Sequence, residues 1–256
     1  MDDVTIQAIQ NLKSTIASWV SNAQTSPLDM ETARGYIQTL MDDPVFQANA
    51  GEFKTELKLI AQSTSTYCEG QTTILFTGVL ENGSGASALV NEIYENTTGS
   101  GKYRTIKGTA QGQLLASEDF ERAVAKTFGS TLEEVRNDRA CAANQFLEGV
   151  GGLWGDLSQR FAAETIGSVE LVMGGQYNPE RIFGVRELPE IIKNIQSGKV
   201  TQFAGMPSEY LAQLQPGQMA NLILRESYER TLLSGASTNE WQRFLDVMPE
   251  GKFTEL

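Results

Sequence analysis

The chain has no histidine and only two cysteines, Cys68 and Cys141, in 256 residues. Without an imidazole, Ser-His-Asp and Cys-His catalysis are closed to it. So is any zinc site that needs a histidine, and two thiols cannot complete an all-cysteine tetrahedron. Acid–base or electrostatic work must fall to carboxylates, tyrosines, lysines or arginines. The two cysteines lie far apart in sequence, as incidental thiols of a reduced intracellular chain do, with a single disulfide left open. Long apolar runs are missing too, and none approaches the roughly eighteen residues that span a membrane. The acidic start, Met1-Asp2-Asp3, differs from the basic start of a secretory leader, so no signal peptide is expected. Cations are scarce: 20 Lys+Arg face 32 Asp+Glu, a net charge of -12. That balance argues against nucleic acid or an anionic membrane as partner.

What is present is a globular composition, 40% hydrophobic and 20% charged. The first part reads as helices. Asp3 is placed to cap a helix over 4–20 with Ile9, Leu12, Ile16 and Trp19 at helical spacing. Ser26-Pro27 opens a second helix that Asp43-Pro44 ends, and Phe53, Leu57 and Ile60 mark a third. From Thr72 short apolar runs alternate with helical patterns. Strands are expected over 73–77, 168–173, 182–185 and 200–203, and helices over 86–94, 118–128, 131–147, 154–165, 188–195 and 222–233. A last helix would hold Trp241, Phe244 and Leu245. The expected class is α/β, or two-lobed α+β: a helical N-terminal lobe plus a lobe with a small, mainly parallel sheet flanked by helices. Residues 1–70 would form the helical lobe, either completed by 103–165 or standing as a separate docking piece, and 71–256 the region with the α/β lobe.

One motif fails and one constellation holds. Gly99-Ser100-Gly101-Lys102 suggests a phosphate loop, but Asn96 and Tyr103 stand where that pattern needs Gly and Ser or Thr. No Asp/Glu spacing matches a calcium loop. The segment Leu153-Trp154-Gly155-Asp156-Leu157-Ser158-Gln159-Arg160-Phe161-Ala162 puts Trp154 at a helix start with Ser158 one turn later on the same face. Ile182-Phe183-Gly184-Val185-Arg186-Glu187-Leu188 presents Glu187 between a strand-like run and a helix, where α/β folds place ligands. An aromatic face, a hydroxyl, a helix N-terminus and a carboxylate together suit a flat cationic ring attached to a phosphorylated sugar. The same residues also read as core (Trp154, Phe183) and as a solvated helix-leading acid (Glu187).

The run Trp154-x-x-x-Ser158-x-Arg160-Phe161-Ala162, followed by Val172-Met173-x-Gly175 and by Phe183-Gly184-Val185-Arg186-Glu187, resembles the ADP-ribosyl cyclase family, which includes NAD glycohydrolases. Ile74-Leu75-Phe76-Thr77-Gly78 and Thr105-Ile106-Lys107-Gly108-Thr109-Ala110-Gln111-Gly112 are similar to two further motifs of that family, so the likeness runs from about Ile74 to Phe203. The resemblance implies an ADP-ribosyl cyclase-like fold and cleavage of the nicotinamide–ribose bond of NAD, with ADP-ribose or cyclic ADP-ribose as product. It implies Glu187 as the catalytic residue and Trp154 and Phe76 as walls against the nicotinamide. Thr77, Ser158 and the backbone at Ile182 and Phe183 would hold the pyrophosphate. NAD enters as substrate, and no cofactor or metal is implied. Arg160, Arg181 and Arg186 are equivalent candidates to offset the negative field.

Three departures stand against this likeness. Lys107 occupies the place of a glutamate that helps decide between cyclisation and hydrolysis, Gly78 that of a phosphate-contacting arginine, and Phe76 that of a tryptophan. The low cysteine count and the lack of an export signal suggest a bacterial relative acting in the cytoplasm. It would be either a delivered toxin domain, which would have a cognate inhibitor as partner, or an intracellular NAD-consuming enzyme. Two other classes fit the same residues: an ADP-ribosyltransferase, and a non-catalytic nucleotide-binding or interaction module.

Overall fold

The computed structural model describes all residues except 26–27, 64–65, 67–69, 71, 81, 98–100, 176 and 235–256. The expectations for Ser26-Pro27, Cys68, Gly99-Ser100 and the helix at Trp241, Phe244 and Leu245 fall outside the described residues. In chain order the helices are α1 (Asp3–Thr25), α2 (Met30–Asp42), α3 (Pro44–Asn49) and α4 (Lys54–Ser63), then strand β1 (Thr72–Thr77), α5 (Ala86–Thr97) and β2 (Tyr103–Arg104). Next come α6 (Ala110–Leu115), α7 (Glu118–Phe128), α8 (Leu132–Asn137), α9 (Ala142–Glu148) and α10 (Leu153–Ala163). The chain finishes with β3 (Gly167–Met173), α11 (Leu188–Gln196), β4 (Val200–Phe203), β5 (Met206–Pro207), α12 (Ser208–Leu211) and α13 (Pro216–Leu233). Two compact units result. One comprises Met1–Tyr67 with Thr109–Leu157, and the other Cys68–Gly108 with Ser158–Leu256. Among the described residues no helix is long and apolar enough to cross a membrane.

The first unit is helical, and its helix boundaries follow local side-chain chemistry. Asp2, one residue earlier than expected, accepts a hydrogen bond from the Thr5 N–H at 2.7 Å and starts α1. Asp29 does the same for Thr32 and opens α2 at Met30. Asp43 closes α2 and caps α3, with Pro44 in the first turn. The single helix expected over 131–147 is two. Asp138 leaves helical geometry and its carboxylate accepts from the Ala140 N–H at 2.9 Å, an Asx turn that stops α8 before Cys141 opens α9. Ile16, Ile37, Leu40, Phe46, Phe53, Leu57, Ile60 and Phe120 are fully buried there.

The second unit is mixed α/β around a five-stranded sheet of order β2-β1-β3-β4-β5, parallel except for the β4–β5 pair. Thr72 to Thr77 of β1 pair with Ser168 to Met173 of β3 in unbroken register. Side chains alternate across a strand. Ile74 and Val172 face α5, where Leu89, Val90 and Ile93 complete an apolar cluster that also holds Tyr103. From β1 the chain crosses to β2 on one side, and it later returns to β3 and β4 on the other. The carboxyl ends of β1 and β3 are therefore the point where the strand order reverses, the place in such sheets where a crevice opens.

Backbone contacts hold that point closed up. The Gly174 N–H donates to the Thr77 carbonyl at 2.9 Å. Gly78 has φ +81° and its own carbonyl accepts from Ala86. A Cβ at Gly174 would stand 2.1 Å from the Val79 carbonyl oxygen. Gly174→Ala is therefore expected to lower stability by about 1–3 kcal/mol, the cost of forcing backbones apart, as read by urea unfolding.

Beyond Val169, strand β4 leaves β3, and α13 takes over that exposed edge. Arg230 donates to both carboxylate oxygens of Glu170 at 3.0 Å and to the Ala204 carbonyl at 3.0 Å. The Met173 N–H donates to the Thr231 hydroxyl at 3.0 Å. A helix thus satisfies strand groups that would otherwise be unpaired inside the protein. Burial raises the Glu170 carboxyl above the usual carboxylate range even with the Arg230 guanidinium against it.

Candidate functional site

The strand expected over 182–185 is not one. Phe183–Glu187 is a π-helical turn that runs into α11. Short apolar runs do not distinguish strand from buried helix by pattern, and here Pro189 supplies the reason for the helical outcome. Proline suits a helix start but has no N–H to continue an ordinary ladder. The Leu188 N–H reaches back to the Phe183 carbonyl, five residues away, which is the wider π spacing. Gly184 permits the close approach of the preceding loop, because a Cβ there would lie 2.2 Å from the Pro179 carbonyl oxygen. Phe183 is buried and meets Tyr177 edge-on at 6.3 Å, an aromatic contact that nothing in the local pattern signals.

This turn aims Glu187 inward. The residue is 7% exposed, and its carboxylate accepts a hydrogen bond from the Ser158 hydroxyl on α10. Among the described residues no lysine or arginine pairs with it. Burial raises its pKa from the usual 4.5 to about 7, and the Ser158 bond only partly opposes that rise. The surrounding helices are fixed by polar contacts. Asn194 of α11 donates to the Ala162, Ala163 and Thr165 carbonyls at 2.9, 3.1 and 3.2 Å. Arg186 donates to Gln159 at 2.8 Å, and Gln159 donates to Glu190 at 3.3 Å. A buried carboxyl without a counter-charge, held between two tied helices, is an arrangement that costs stability and is typical of functional positions.

The remaining candidates fall in different places. Thr77 is buried at the carboxyl end of β1, in register with Met173. Phe76 lies on the opposite sheet face and packs against the apolar cluster under α5. Ile182 is half-buried just before the π turn. Lys107 sits, half-buried, in a 3-10 turn after β2. Trp154 is half-buried in the first turn of α10 and belongs to the first unit, whereas Ser158 begins the return of the chain into the second. Of the residues named from sequence, then, the structure joins Ser158 to Glu187 directly. Ser158, named from the sequence for the pyrophosphate, has its hydroxyl on the Glu187 carboxylate. No group of His, Cys, Asp and Glu that could hold a metal ion occurs among the described residues.

The sign of the Glu187 shift fixes a pH dependence of stability. Between pH 4.5 and about 7 the folded protein keeps a proton that the unfolded chain has released. The resulting stabilisation is complete below pH 4.5 and is lost as pH rises through 7. Glu187→Gln, which is always neutral and can still accept from Ser158, is expected to match the parent protein near pH 4.5. By pH 8 it should exceed it by up to about 3 kcal/mol. Urea unfolding across that range measures the difference, and a constant offset would count against a shifted Glu187.

No family model, no curated protein and no solved structure matches this chain.

Proposed function

We propose that the second unit cleaves the nicotinamide–ribose bond of NAD, releasing nicotinamide and leaving ADP-ribose or its cyclic form, on a fold of the ADP-ribosyl cyclase kind. The observation that carries this reading is the buried, cation-free carboxyl of Glu187 at the π turn, hydrogen-bonded to Ser158. A carboxylate in that state gains most from a ligand that is itself cationic. NAD supplies a nicotinamidium ring, and its ribose becomes more positive as the bond breaks.

In the reaction the C1′–N bond breaks and its electron pair leaves with nicotinamide, which departs neutral. The sugar becomes oxocarbenium-like at C1′. Ionised Glu187 stabilises that charge, and its preorganisation inside the protein makes the interaction stronger than it would be in water. Water then adds to C1′ and gives up a proton to solvent, or a nitrogen lone pair of the adenine adds to C1′ in its place. Ser158 holds the carboxylate in place, and Thr77 with the backbone at Ile182 and Phe183 is assigned to the pyrophosphate. The proposal is built on residues of the second unit alone, with the stacking role of Trp154 left to the sequence resemblance. The cytoplasmic setting, the toxin role and a cognate inhibitor rest on the same resemblance.

The test is incubation of purified protein with NAD, with nicotinamide and the ribosyl product separated by chromatography. Free nicotinamide in step with ADP-ribose or its cyclic form supports the proposal. Label transferred to a protein identifies a transferase, and binding without turnover identifies a non-catalytic module; either result overturns it. Because the ionised form is the active one, log kcat/KM is expected to rise with unit slope up to about pH 7 and then level off. The midpoint for kcat should lie lower, since the bound cation favours ionisation. A flat profile from pH 5 to 8 would remove Glu187 from this role.

A further inference from the structure

We propose that Arg104, with Thr73 beside it, forms an oxyanion site that takes a phosphate group, an inference that does not depend on Glu187. Arg104 is half-buried on β2, and its guanidinium lies 5.8 Å from the centre of the Phe161 ring on α10. Its Nε is buried without a hydrogen-bond partner. Among the described residues no carboxylate pairs with it, in a chain that carries 32 of them against 20 cations. Thr73 is the β1 residue in register with Arg104, so the two side chains share one sheet face. Thr73 is fully buried and its hydroxyl is also without a partner. Two neighbouring unpartnered groups, the Nε of Arg104 and the Thr73 hydroxyl, suit an acceptor that the described residues do not provide.

The chemistry of the acceptor follows from the surroundings. A planar guanidinium beside an aromatic ring, 5.8 Å from its centre, has a donor fork that suits an oxyanion. Gly70 fixes the stem of Arg104, since a Cβ there would come within 2.7 Å of the arginine Cγ. In sequence Lys102 and Lys107 stand on either side of Arg104, three cations within six residues of a chain whose net charge is -12. That local excess favours a multiply charged phosphate over a single carboxylate. The phosphate has two possible sources, free inorganic phosphate or the phosphates of a nucleotide.

The experiment is a titration of the full chain with inorganic phosphate and, separately, with ADP-ribose, followed by calorimetry and by thermal unfolding against chloride of equal ionic strength. Binding of either ligand to the parent protein is expected, and Arg104→Leu should weaken it roughly tenfold or more. A response to phosphate alone identifies the free ion as ligand, and a response to ADP-ribose alone identifies the nucleotide. Arg104→Leu is also expected to raise the melting temperature of the unliganded protein, because it removes a half-buried cation whose Nε has no hydrogen-bond partner. A purely structural arginine would show the opposite. Arg104→Lys keeps the charge without the fork and should bind with intermediate affinity. No response beyond chloride, or equal binding by the parent and Arg104→Leu, would overturn the site. The readout is anion binding rather than nicotinamide release, so its failure leaves the reading of Glu187 untouched.

Discussion

Glu187→Gln is expected to lower kcat/KM for nicotinamide release by about a thousandfold, a loss of about 4 kcal/mol of transition-state stabilisation. The substitution keeps the shape and an acceptor for the Ser158 hydroxyl, and removes only the negative charge. The same variant is expected to be more stable than the parent above pH 7. Loss of activity together with gain of stability is the signature of a charge kept for function at the expense of folding. Activity within about threefold of the parent, with circular dichroism unchanged, would end the assignment. Ser158→Ala should act differently. It removes the one hydrogen bond that holds the Glu187 pKa down, so the midpoint of kcat/KM should move to higher pH while the plateau survives in part.

The second large effect concerns the edge of β3. Glu170 and Arg230 are 8% and 7% exposed and meet through two 3.0 Å hydrogen bonds. Glu170→Leu would leave the Arg230 guanidinium charged inside the protein, and a loss of about 3–5 kcal/mol is expected. Replacing both at once, Glu170→Leu with Arg230→Met, should recover most of that loss, because the desolvation penalty of both ions disappears with their attraction. The double-mutant cycle in urea is the measurement. If the double variant is no better than Glu170→Leu alone, Arg230 acts mainly through the Ala204 carbonyl, at the turn where Ala204 itself has φ +48°.

Elements with a strong local signal were legible in the sequence. The run 168–173, stopped by Gly174-Gly175, is β3 to within a residue, and Asp43-Pro44 marks the joint of α2 and α3. Ile182–Val185 was not legible as a π turn, because three apolar residues and a glycine fit either period and Pro189 acts from outside the run. Asn137-Asp138 breaks 131–147 through side-chain hydrogen bonding that a periodicity count passes over. Within the candidate site, Ser158 and Glu187 were each nameable, but their contact joins a helix before β3 to a turn after it. The Glu170–Arg230 pair spans 60 residues and left no local trace in the sequence. The unpartnered Nε of Arg104 likewise becomes visible only once the described residues around it have positions.

The register of β1 with β3 has a consequence for how the chain is made. Thr72 pairs with Ser168, so β1 waits for β3, the central strand of the sheet, while roughly a hundred residues are synthesised. At translation rates of about 5–20 residues per second, that interval is on the order of 5–20 s. During it the nascent chain displays Ile74-Leu75-Phe76, three apolar residues on a strand with an unpaired edge. The intervening segment includes 109–157, which completes the helical unit, so that unit can close before the sheet does. Refolding after dilution from denaturant should accordingly be biphasic, with helical signal recovered first, and aggregation should compete chiefly with the later step.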